Sequence, residues 1–356
     1  MKLLFLGDFY YDFPEIAGDI DALAEEVRAR GLSTVINLEG VLCDPSGLKP
    51  IRKRGARLAQ SEQCLEALLR LNTVAVTLAN NHTMDYGPEG LSEMRKTLEG
   101  AGIRTVGAGN NLTEAVKPLI MEDGETKLAL FNFGWGAEET VYAKENRPGC
   151  APREEKVILP ALRSLQETEP GLPAVVLMHW GYEFNPYPMP VDITLASHLT
   201  ALPGVQAVIG HHPHCVQPVT QLGGKPVWFS LGNFYFSSRR AGFAKKFDHT
   251  PDNLCDYGLG VIFDTETGVT ETLGVVYDRE TGKSRLMEEL SFLPLMPKSD
   301  PESPEYRKFA KEQARNSNPV LKDSGFSSRI TAGAYNTYRN LKKHFGGLSA
   351  LLGNGR

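Results

Sequence analysis

Six short apolar segments of this chain each lead into a polar side chain that can bind a metal ion or a ligand. In α/β proteins the carboxyl ends of parallel strands meet at one edge of the sheet, and ligands bind there. The pattern therefore predicts one shared site built from distant parts of the chain. The segments and their polar residues are Lys2–Leu6 with Asp8, Ser33–Leu38 with Glu39, Thr73–Leu78 with Asn81 and His82, Ala174–Met178 with His179, Val205–Ile209 with His212 and His214, and Val227–Leu231 with Asn233.

Helical patterns separate these apolar segments. Apolar residues recur at spacings of three and four, which predicts amphipathic helices. Strands that alternate with helices are typical of an α/β layered fold with buried strands. Two later segments, Gly260–Asp264 and Thr270–Tyr277, flank a turn and predict an antiparallel pair. The helical segments are about Asp19–Arg30, Glu62–Leu71, Pro88–Leu98, Val157–Thr168 and Ile193–Leu202.

The composition is that of an ordinary soluble globular protein. Of 356 residues, 41% are hydrophobic and 23% charged, and the formal charge of −5 favours neither a nucleic-acid nor a membrane surface. The five cysteines are scattered and form no Cys-x-x-Cys pair, which indicates a reducing compartment. Because neither a signal peptide nor an apolar run of roughly 20 residues is visible, we expect a cytoplasmic protein without a transmembrane segment or a nucleic-acid partner.

A change in composition near residue 291 divides the chain. Residues 1–290 form the predicted main domain, and residues 291–356 form a proline-rich linker and a helical C-terminal extension. Four prolines cluster after Phe292, and Ser303-Pro304 is typical of an N-cap and first helical position. This helix is expected to reach about Arg315. A second, amphipathic helix is predicted over about Thr331–Leu352.

The segment Gly210-His211-His212-Pro213-His214 is the densest group of candidate ligands. A His-x-His step after a strand places two imidazoles on one side of a loop, and Pro213 restrains the backbone between them. Carboxylate, imidazole and amide ligands together suit Mn, Fe or Zn. The predicted ligand set for one or two divalent ions is Asp8, Glu39 as a bridge, Asn81, His179, His212 and His214; His211 is interpreted as a neighbouring structural residue.

Other residues near these positions are candidates for catalysis or substrate binding. His82 follows Asn81 and is a candidate to protonate a leaving group or stabilise developing charge. Glu183 is a candidate ligand or base, with a rim carboxylate as the equal alternative. Lys53 and Arg54 belong to a basic run after Glu39 that is able to hold a phosphate or a polycarboxylate, although such runs are usually solvated. Trp180 and Asn233 complete the candidate substrate-binding set.

The chain resembles the CapA family of poly-γ-glutamate capsule biosynthesis proteins, within the calcineurin-like metallophosphoesterase superfamily. The resemblance spans about residues 1–240 and implies a metallophosphoesterase-like αββα sandwich. One position departs from the superfamily, whose members usually begin with Asp-x-His, because here the segment is Asp8-Phe9-Tyr10. One metal site would then lack a ligand. The matching motifs are Gly7-Asp8, Asn37-Leu38-Glu39, Ala79-Asn80-Asn81-His82 with Asp85 and Gly87, His179-Trp180-Gly181-Tyr182-Glu183, Gly210-His211-His212-Pro213-His214 with Gln217, and Ser230-Leu231-Gly232-Asn233-Phe234.

Two functional hypotheses remain open from the sequence. The strand-end ligands favour a metal-dependent hydrolase that acts on a phosphoester or on an anionic small molecule or polymer. The missing histidine and the basic run favour a non-catalytic metal-containing component that binds or assembles an anionic polymer. The sequence leaves the oligomeric state open.

Overall fold

Two β-sheets pack face to face at the centre of the protein, and helices cover the outer face of each sheet. The structure, a computed structural model, describes residues 1–13, 15–53, 55–236, 255–278, 281, 283–296 and 303–317. The order of the layers is helix, sheet, sheet, helix. The expected α/β fold with an αββα sandwich is therefore confirmed.

The strands are numbered in chain order: β1 (Lys2–Tyr10), β2 (Ser33–Leu38), β3 (Val41–Leu42), β4 (Ala59–Gln60), β5 (Thr73–Thr77), β6 (Arg104–Val106), β7 (Ala108–Gly109), β8 (Leu119–Asp123), β9 (Thr126–Gly134), β10 (Gly149–Cys150), β11 (Ala174–His179), β12 (Val205–His211), β13 (Val219–Leu222), β14 (Lys225–Trp228), β15 (Asn233–Phe236), β16 (Tyr257–Asp264), β17 (Thr270–Asp278) and β18 (Lys283–Met287). The helices are α1 (Gly18–Ala29), α2 (Glu62–Arg70), α3 (Gly87–Gly100), α4 (Leu112–Ala115), α5 (Glu155–Thr168), α6 (Pro190–Thr200) and α7 (Pro304–Ser317).

Both sheets have parallel strands at their centres. The first sheet has the order β18-β17-β16-β1-β2-β5-β6, with β15 paired to the end of β1. The second has the order β13-β14-β12-β11-β9-β8. The pairs β1–β2, β2–β5, β9–β11 and β11–β12 are parallel, and the predicted pair of β16 and β17 is antiparallel. The parallel arrangement brings the carboxyl ends of distant segments to a common edge.

Alternating side chains of the central strands are buried on opposite faces of the sheet. Leu3 and Phe5 of β1 pack against the second sheet, where they belong to the same buried cluster as Val175 and Leu177 of β11. The intervening residues of β1 face α1 to α3. Because both faces are buried, the strand sequence is continuously apolar instead of alternating.

Two predicted strand boundaries were wrong. Asp8 lies within β1 instead of beyond its end, because β15 pairs with Phe9 and Tyr10 and extends the strand. The register between β1 and its neighbours shifts around Asp8. Asn233 begins β15 instead of following a strand, since the apolar segment before it forms a strand only as far as Trp228.

The C-terminal helix α7 packs against the second sheet's helices. The Ser303 hydroxyl accepts a hydrogen bond from the Tyr306 amide at 3.0 Å, so the predicted N-cap is confirmed. The Tyr306 side chain is fully buried, and its hydroxyl donates to the Pro188 carbonyl at 2.9 Å. The domain boundary at 290 stays a prediction, and the helix predicted over 331–352 lies outside the described residues. Within the described ranges, no helix is long and apolar enough to cross a membrane.

Gly210 allows two backbone segments to approach closely behind the histidine loop. A Cβ atom at this position would lie 1.9 Å from the Phe229 carbonyl oxygen and 2.5 Å from Trp180 Nε1. Trp180 Nε1 donates to that same carbonyl at 2.8 Å, and the Gly210 carbonyl accepts from the Leu231 amide at 2.9 Å. Any side chain here must therefore displace backbone atoms.

Gly210→Ala is expected to lower the free energy of unfolding by about 3 kcal/mol, because overpacking in a rigid site forces backbone shifts. Urea denaturation followed by circular dichroism measures this change. Gly18→Ala is the matched control, since a Cβ at Gly18 meets no atom within 4 Å. Equal denaturation midpoints for the two variants would contradict the close approach.

Candidate metal centre

Polar side chains from both sheets meet at the shared carboxyl-terminal edge. The first sheet provides Asp8 and Glu39 and, after β5, the loop with Asn81; the second provides residues after β11 and β12. All six predicted metal ligands are at most 8% exposed. Burying this many polar groups without compensation is costly, so their partners determine what the site is able to do.

Glu39 is fully buried, and neither carboxylate oxygen has a hydrogen-bond partner among the described residues. Its Oε1 lies 3.5 Å from His214 Nε2 and 3.9 Å from His82 Nε2. Burial raises the pKa of the Glu39 carboxyl well above its usual range, and the nearby charges of Asp8 and Glu183 raise it further, while Lys53 lowers it. A cation beside Glu39 would stabilise the ionised carboxylate and so oppose the effect of burial.

Unlike Glu39, Asp8 accepts hydrogen bonds from other described residues. Its Oδ1 accepts a hydrogen bond from the Asn37 side chain at 2.8 Å, and its Oδ2 accepts from the His212 amide at 3.2 Å. His214 Nδ1 lies 3.4 Å from Oδ2. Burial raises the pKa of Asp8 to about 7, although both hydrogen bonds lower it. These contacts orient the carboxylate toward the histidine loop.

The imidazoles of the second sheet lie close together. The rings of His179 and His212 are 4.6 Å apart, and His179 Nε2 lies 3.0 Å from Asn81 Oδ1. Burial and the neighbouring histidines lower the pKa of His179 well below its usual range. A neutral imidazole is the form that binds a metal ion, so crowding and burial favour ligation over protonation.

The histidine loop has an uncommon backbone conformation. His212 has φ of +99° and His214 has φ of +56°, both in the region that favours glycine. Such strain persists where the surrounding structure imposes it and is concentrated at functional sites. The conformation directs both imidazoles toward Glu39. One ligand atom each from Glu39, His212 and His214 lies within 4.8 Å of the other two.

These donors fit a divalent transition-metal ion. Carboxylate oxygens and imidazole nitrogens are the ligand types that Mn, Fe and Zn accept. The Glu39 oxygens, which no protein donor satisfies within the described ranges, lie at the centre of the group. His211 is set apart from it: its Nε2 lies 3.3 Å from the Leu6 carbonyl of the first sheet, as expected for a structural residue.

His82 lies at the edge of this centre and is oriented by Asp85. Its Nδ1 is 2.7 Å from Asp85 Oδ2, which leaves Nε2 directed toward Glu39. Asp85 is itself held by the Lys53 ammonium at 2.5 Å and by the Leu58 amide at 2.8 Å. His82 therefore has the position expected from the sequence, and its catalytic role stays a prediction.

Two predicted substrate-binding residues, Lys53 and Trp180, have buried side chains. The Lys53 side chain is 3% exposed, and its ammonium contacts Asp85 and the Asn81 carbonyl instead of facing solvent. Trp180 is fully buried in the core beneath the second sheet, where it stacks on Phe229. Burial makes both side chains structural supports, so neither position agrees with direct substrate contact.

The remaining candidates for catalysis or substrate binding are Asn233, Glu183 and Arg54. The Asn233 side-chain oxygen is 2.9 Å from His214 Nδ1, so it orients that imidazole. Glu183 is half-buried, and its charge acts on Glu39. Arg54 lies outside the described residues. At the position of the missing histidine, the Tyr10 hydroxyl donates to Asp12 at 3.2 Å, and its ring contacts Phe236.

Sequence reasoning assigned no role to two residues that orient the centre, Asn37 and Asp85. Asn37 is paired with Asp8 across β1 and β2, and two-residue spacing places it on the same side as Glu39. That spacing could have predicted a role for Asn37 at the site. Asp85 follows His82 by three residues, within reach of the same turn, but its pairing with Lys53 depends on a distant loop.

Two packed sheets with carboxylates and imidazoles at their common edge define an αββα protein with a candidate metal centre. Residues 5–238 match the family model described as "Bacterial capsule synthesis protein PGA_cap". Because this match covers more than half of the chain, the protein belongs to that family, and the resemblance seen in the sequence is confirmed.

Two relatives whose names refer to polymer biosynthesis match part of this chain. The PGA biosynthesis protein CapA of Bacillus subtilis is 29% identical over 181 residues, which are 50% of this chain and 47% of that protein. A probable polyglutamine synthesis accessory protein of Mycobacterium tuberculosis is 29% identical over 235 residues, which are 64% of this chain and 60% of that protein. The chain thus spans about half to three-fifths of the length of these relatives.

Solved structures with a similar chain path include enzymes. The calcineurin-like phosphoesterase YfkN of Bacillus subtilis aligns with a TM-score of 0.47 and 13% identity, over 96% of this chain and 98% of that one. A 5'-nucleotidase precursor from Thermus thermophilus aligns with a TM-score of 0.46 and 17% identity, over 91% of this chain and 60% of that one. At such low identity, the likeness says nothing about what this chain binds or converts.

Glu39→Gln is expected to separate metal binding from folding. The substitution removes a buried carboxyl whose ionisation is unfavourable, so the metal-free protein should gain about 1–2 kcal/mol in unfolding free energy. The wild type should gain about 2.7 kcal/mol at a metal concentration 100 times the Kd, and the variant should gain almost none. Thermal unfolding with and without MnCl2 or ZnCl2 measures both effects. Glu122→Gln, at an exposed site, is the control, and equal metal stabilisation in both variants would exclude Glu39 as a ligand.

The raised pKa of Asp8 predicts an unusual pH dependence in metal-free protein. Between its ordinary value of 3.8 and about 7, the folded state holds a proton that the unfolded state has released. Stability should therefore fall as the pH rises through this window, by up to about 4 kcal/mol. Bound metal should reverse the trend, because ligation needs deprotonated carboxylates. Urea denaturation from pH 4 to 7.5 tests this, and an unchanged slope in Asp8→Asn would contradict it.

Proposed function

We propose that this protein is a metal-dependent hydrolase of the metallophosphoesterase type, acting on a phosphoester or an anionic polymer in capsule or poly-γ-glutamate biosynthesis. The observation that carries the proposal is the buried Glu39 carboxylate. It lacks a hydrogen-bond donor within the described residues and lies near His214 of the second sheet and His82 of the first. Such an arrangement favours a bound cation over an empty polar cavity.

Different residues of the site would bind the metal ion and orient its ligands. Glu39, His212 and His214 would hold a divalent Mn, Fe or Zn ion, with Asp8, His179 and Asn81 as further ligands. When bound, the ion supplies a Lewis acid and lowers the pKa of a coordinated water. Asn37 and Asn233 orient Asp8 and His214 through hydrogen bonds at 2.8 and 2.9 Å.

His82 is the residue proposed to move a proton. Asp85 binds Nδ1, which fixes the ring and leaves Nε2 on the side of the metal ligands, 3.9 Å from Glu39. Lys53 holds Asp85 in turn, so the imidazole has little freedom to rotate. In this position Nε2 is suited to exchange a proton with a substrate oxygen. Glu183 is a further candidate base, because its charge acts on Glu39.

A non-catalytic metal-containing component is the second candidate function. Tyr10 occupies the position of the usual superfamily histidine, and its hydroxyl is directed to Asp12. A centre that lacks this ligand would hold one ion instead of two. The names of the relatives refer to PGA biosynthesis and to accessory proteins of polyglutamine synthesis, which agrees with either candidate function. This component would bind or assemble an anionic polymer, without converting it.

His82→Gln should lower hydrolysis of methyl phenyl phosphate, a phosphodiester with an unactivated leaving group, by about 100-fold while metal content stays unchanged, because it removes only proton transfer. His179→Ala should lose both metal and activity. His198→Gln is the matched control, since its side chain is 53% exposed and contacts Glu155. Activity in metal-loaded protein that is no greater than in His179→Ala would exclude the phosphoesterase.

Metal stoichiometry distinguishes the two candidate functions. Elemental analysis of protein saturated with Mn or Zn should give two ions per chain for a two-metal hydrolase. A single ion per chain, together with no turnover of the phosphodiester, would favour the non-catalytic component.

A further inference from the structure

A large groove lies beside the metal centre, between the segment that follows β9 and the helices α5, α6 and α7. Its volume is about 1480 Å³. Pockets for small ligands usually measure roughly 300–1,000 Å³. The groove is therefore larger than a single small molecule needs and is suited to several units of an extended chain.

Positive charge is concentrated on both walls of the groove. Lys144 and Arg147 lie on one wall, and Arg307 and Lys311 lie on the other. Lys144, Arg307 and Lys311 form no ion pair within the part of the chain that the structure describes. The lining has six basic residues against three acidic ones, Glu145, Glu154 and Glu155, and Glu154 contacts Lys156 while Glu155 contacts His198. The groove thus carries excess positive charge, whereas the chain has a formal charge of −5.

Apolar side chains lie between these cations. Trp135, Tyr142 and Val191 line the groove, and Val191 is 53% exposed. A ligand that carries both methylene groups and anionic groups matches such a surface, because its apolar parts cover the apolar lining and its charges meet the cations. A densely charged polyphosphate has no apolar part to cover this lining.

The helix α7 supplies part of one wall through Arg307 and Lys311. Tyr306 is buried against Pro188, and the Phe309 ring contacts the Tyr187 ring with centroids 4.8 Å apart. Arg307 and Lys311 are four residues apart and share one side of the helix, along the groove. This helix lies beyond residues 5–238, so the family match does not account for this part of the wall.

One residue of the groove lining contacts the strand that carries His179. The Trp135 amide donates a hydrogen bond to the His179 carbonyl at 3.0 Å, and the Trp135 ring contacts Tyr182 with centroids 5.6 Å apart. The groove therefore lies close to the edge where the predicted ligands meet.

We propose that this groove binds an extended polycarboxylate chain and guides it to the metal centre, with α7 as part of one wall. The proposal rests on the anionic-polymer version of the function proposed above. It also draws on cations outside the basic run after Glu39, where the Lys53 ammonium is buried against Asp85. Long-range attraction of this kind is screened by salt, so binding should weaken as ionic strength rises.

Fluorescence polarisation with fluorescein-labelled γ-linked poly-glutamate, at about 50 mM salt, tests the proposal. Lys311→Glu and Lys144→Glu, on opposite walls, should each weaken binding by about fivefold or more. Lys308→Glu is the matched control, because it has the same charge change on the same helix at an exposed residue that does not line the groove, and it should change the Kd by less than about twofold. Lys311→Ala and Lys144→Ala provide milder changes, and thermal unfolding verifies that each variant folds.

Separate readouts distinguish this proposal from the hydrolase proposal. Lys308→Glu, outside the groove lining and the metal centre, should retain both polymer binding and hydrolysis of the small phosphodiester, whereas Lys311→Glu should weaken polymer binding. Loss of hydrolysis with groove-dependent binding intact would overturn only the hydrolase. Equal binding by Lys311→Glu and Lys308→Glu would overturn the groove. Tighter binding of inorganic polyphosphate of matched charge, through the same residues, would overturn the polycarboxylate assignment.

Discussion

The Glu39 carboxylate is fully buried between two sheets, and within the described residues no hydrogen-bond donor satisfies it. A carboxylate in this position either takes up a proton or needs a cation, since isolated buried charge is strongly unfavourable. The αββα arrangement brings the second sheet's imidazoles to the same edge. Fold and site are therefore coupled, because the packing that buries Glu39 also delivers the groups that would share a metal ion with it.

Much of this arrangement could be predicted from the sequence, because strands with apolar residues on both faces and polar residues at their ends follow a general rule of α/β proteins. Glu39, His179 and the His-x-His pair are where that rule puts them. The burial of Lys53 and Trp180 could not be predicted in the same way. It depends on which distant groups pack against each side chain, namely Asp85 for Lys53 and Phe229 for Trp180. Sequence spacing describes a residue's own element, whereas these contacts come from tertiary structure.

The C-terminal helix changes how the charge of the molecule is interpreted. In the sequence, the basic run after Glu39 was one candidate for anion binding, with a solvated surface as the alternative, but Lys53 supports the turn that orients His82. The proposed polymer groove takes its cations instead from a loop near Lys144 and from α7, which docks through Tyr306. Metal chemistry and polymer binding would then be separate properties of neighbouring surfaces. One helix outside the family match would contribute to the second property alone.

The central claim is that Glu39, His212 and His214 hold a metal ion at the common edge of the sheets. Anomalous X-ray diffraction from crystals soaked in Mn or Zn, collected on both sides of the metal absorption edge, tests it most directly. The claim predicts an anomalous peak within about 2.0–2.3 Å of a Glu39 oxygen and of one nitrogen from each histidine. Crystals that bind metal only elsewhere, with the Glu39 carboxylate unliganded, would contradict it.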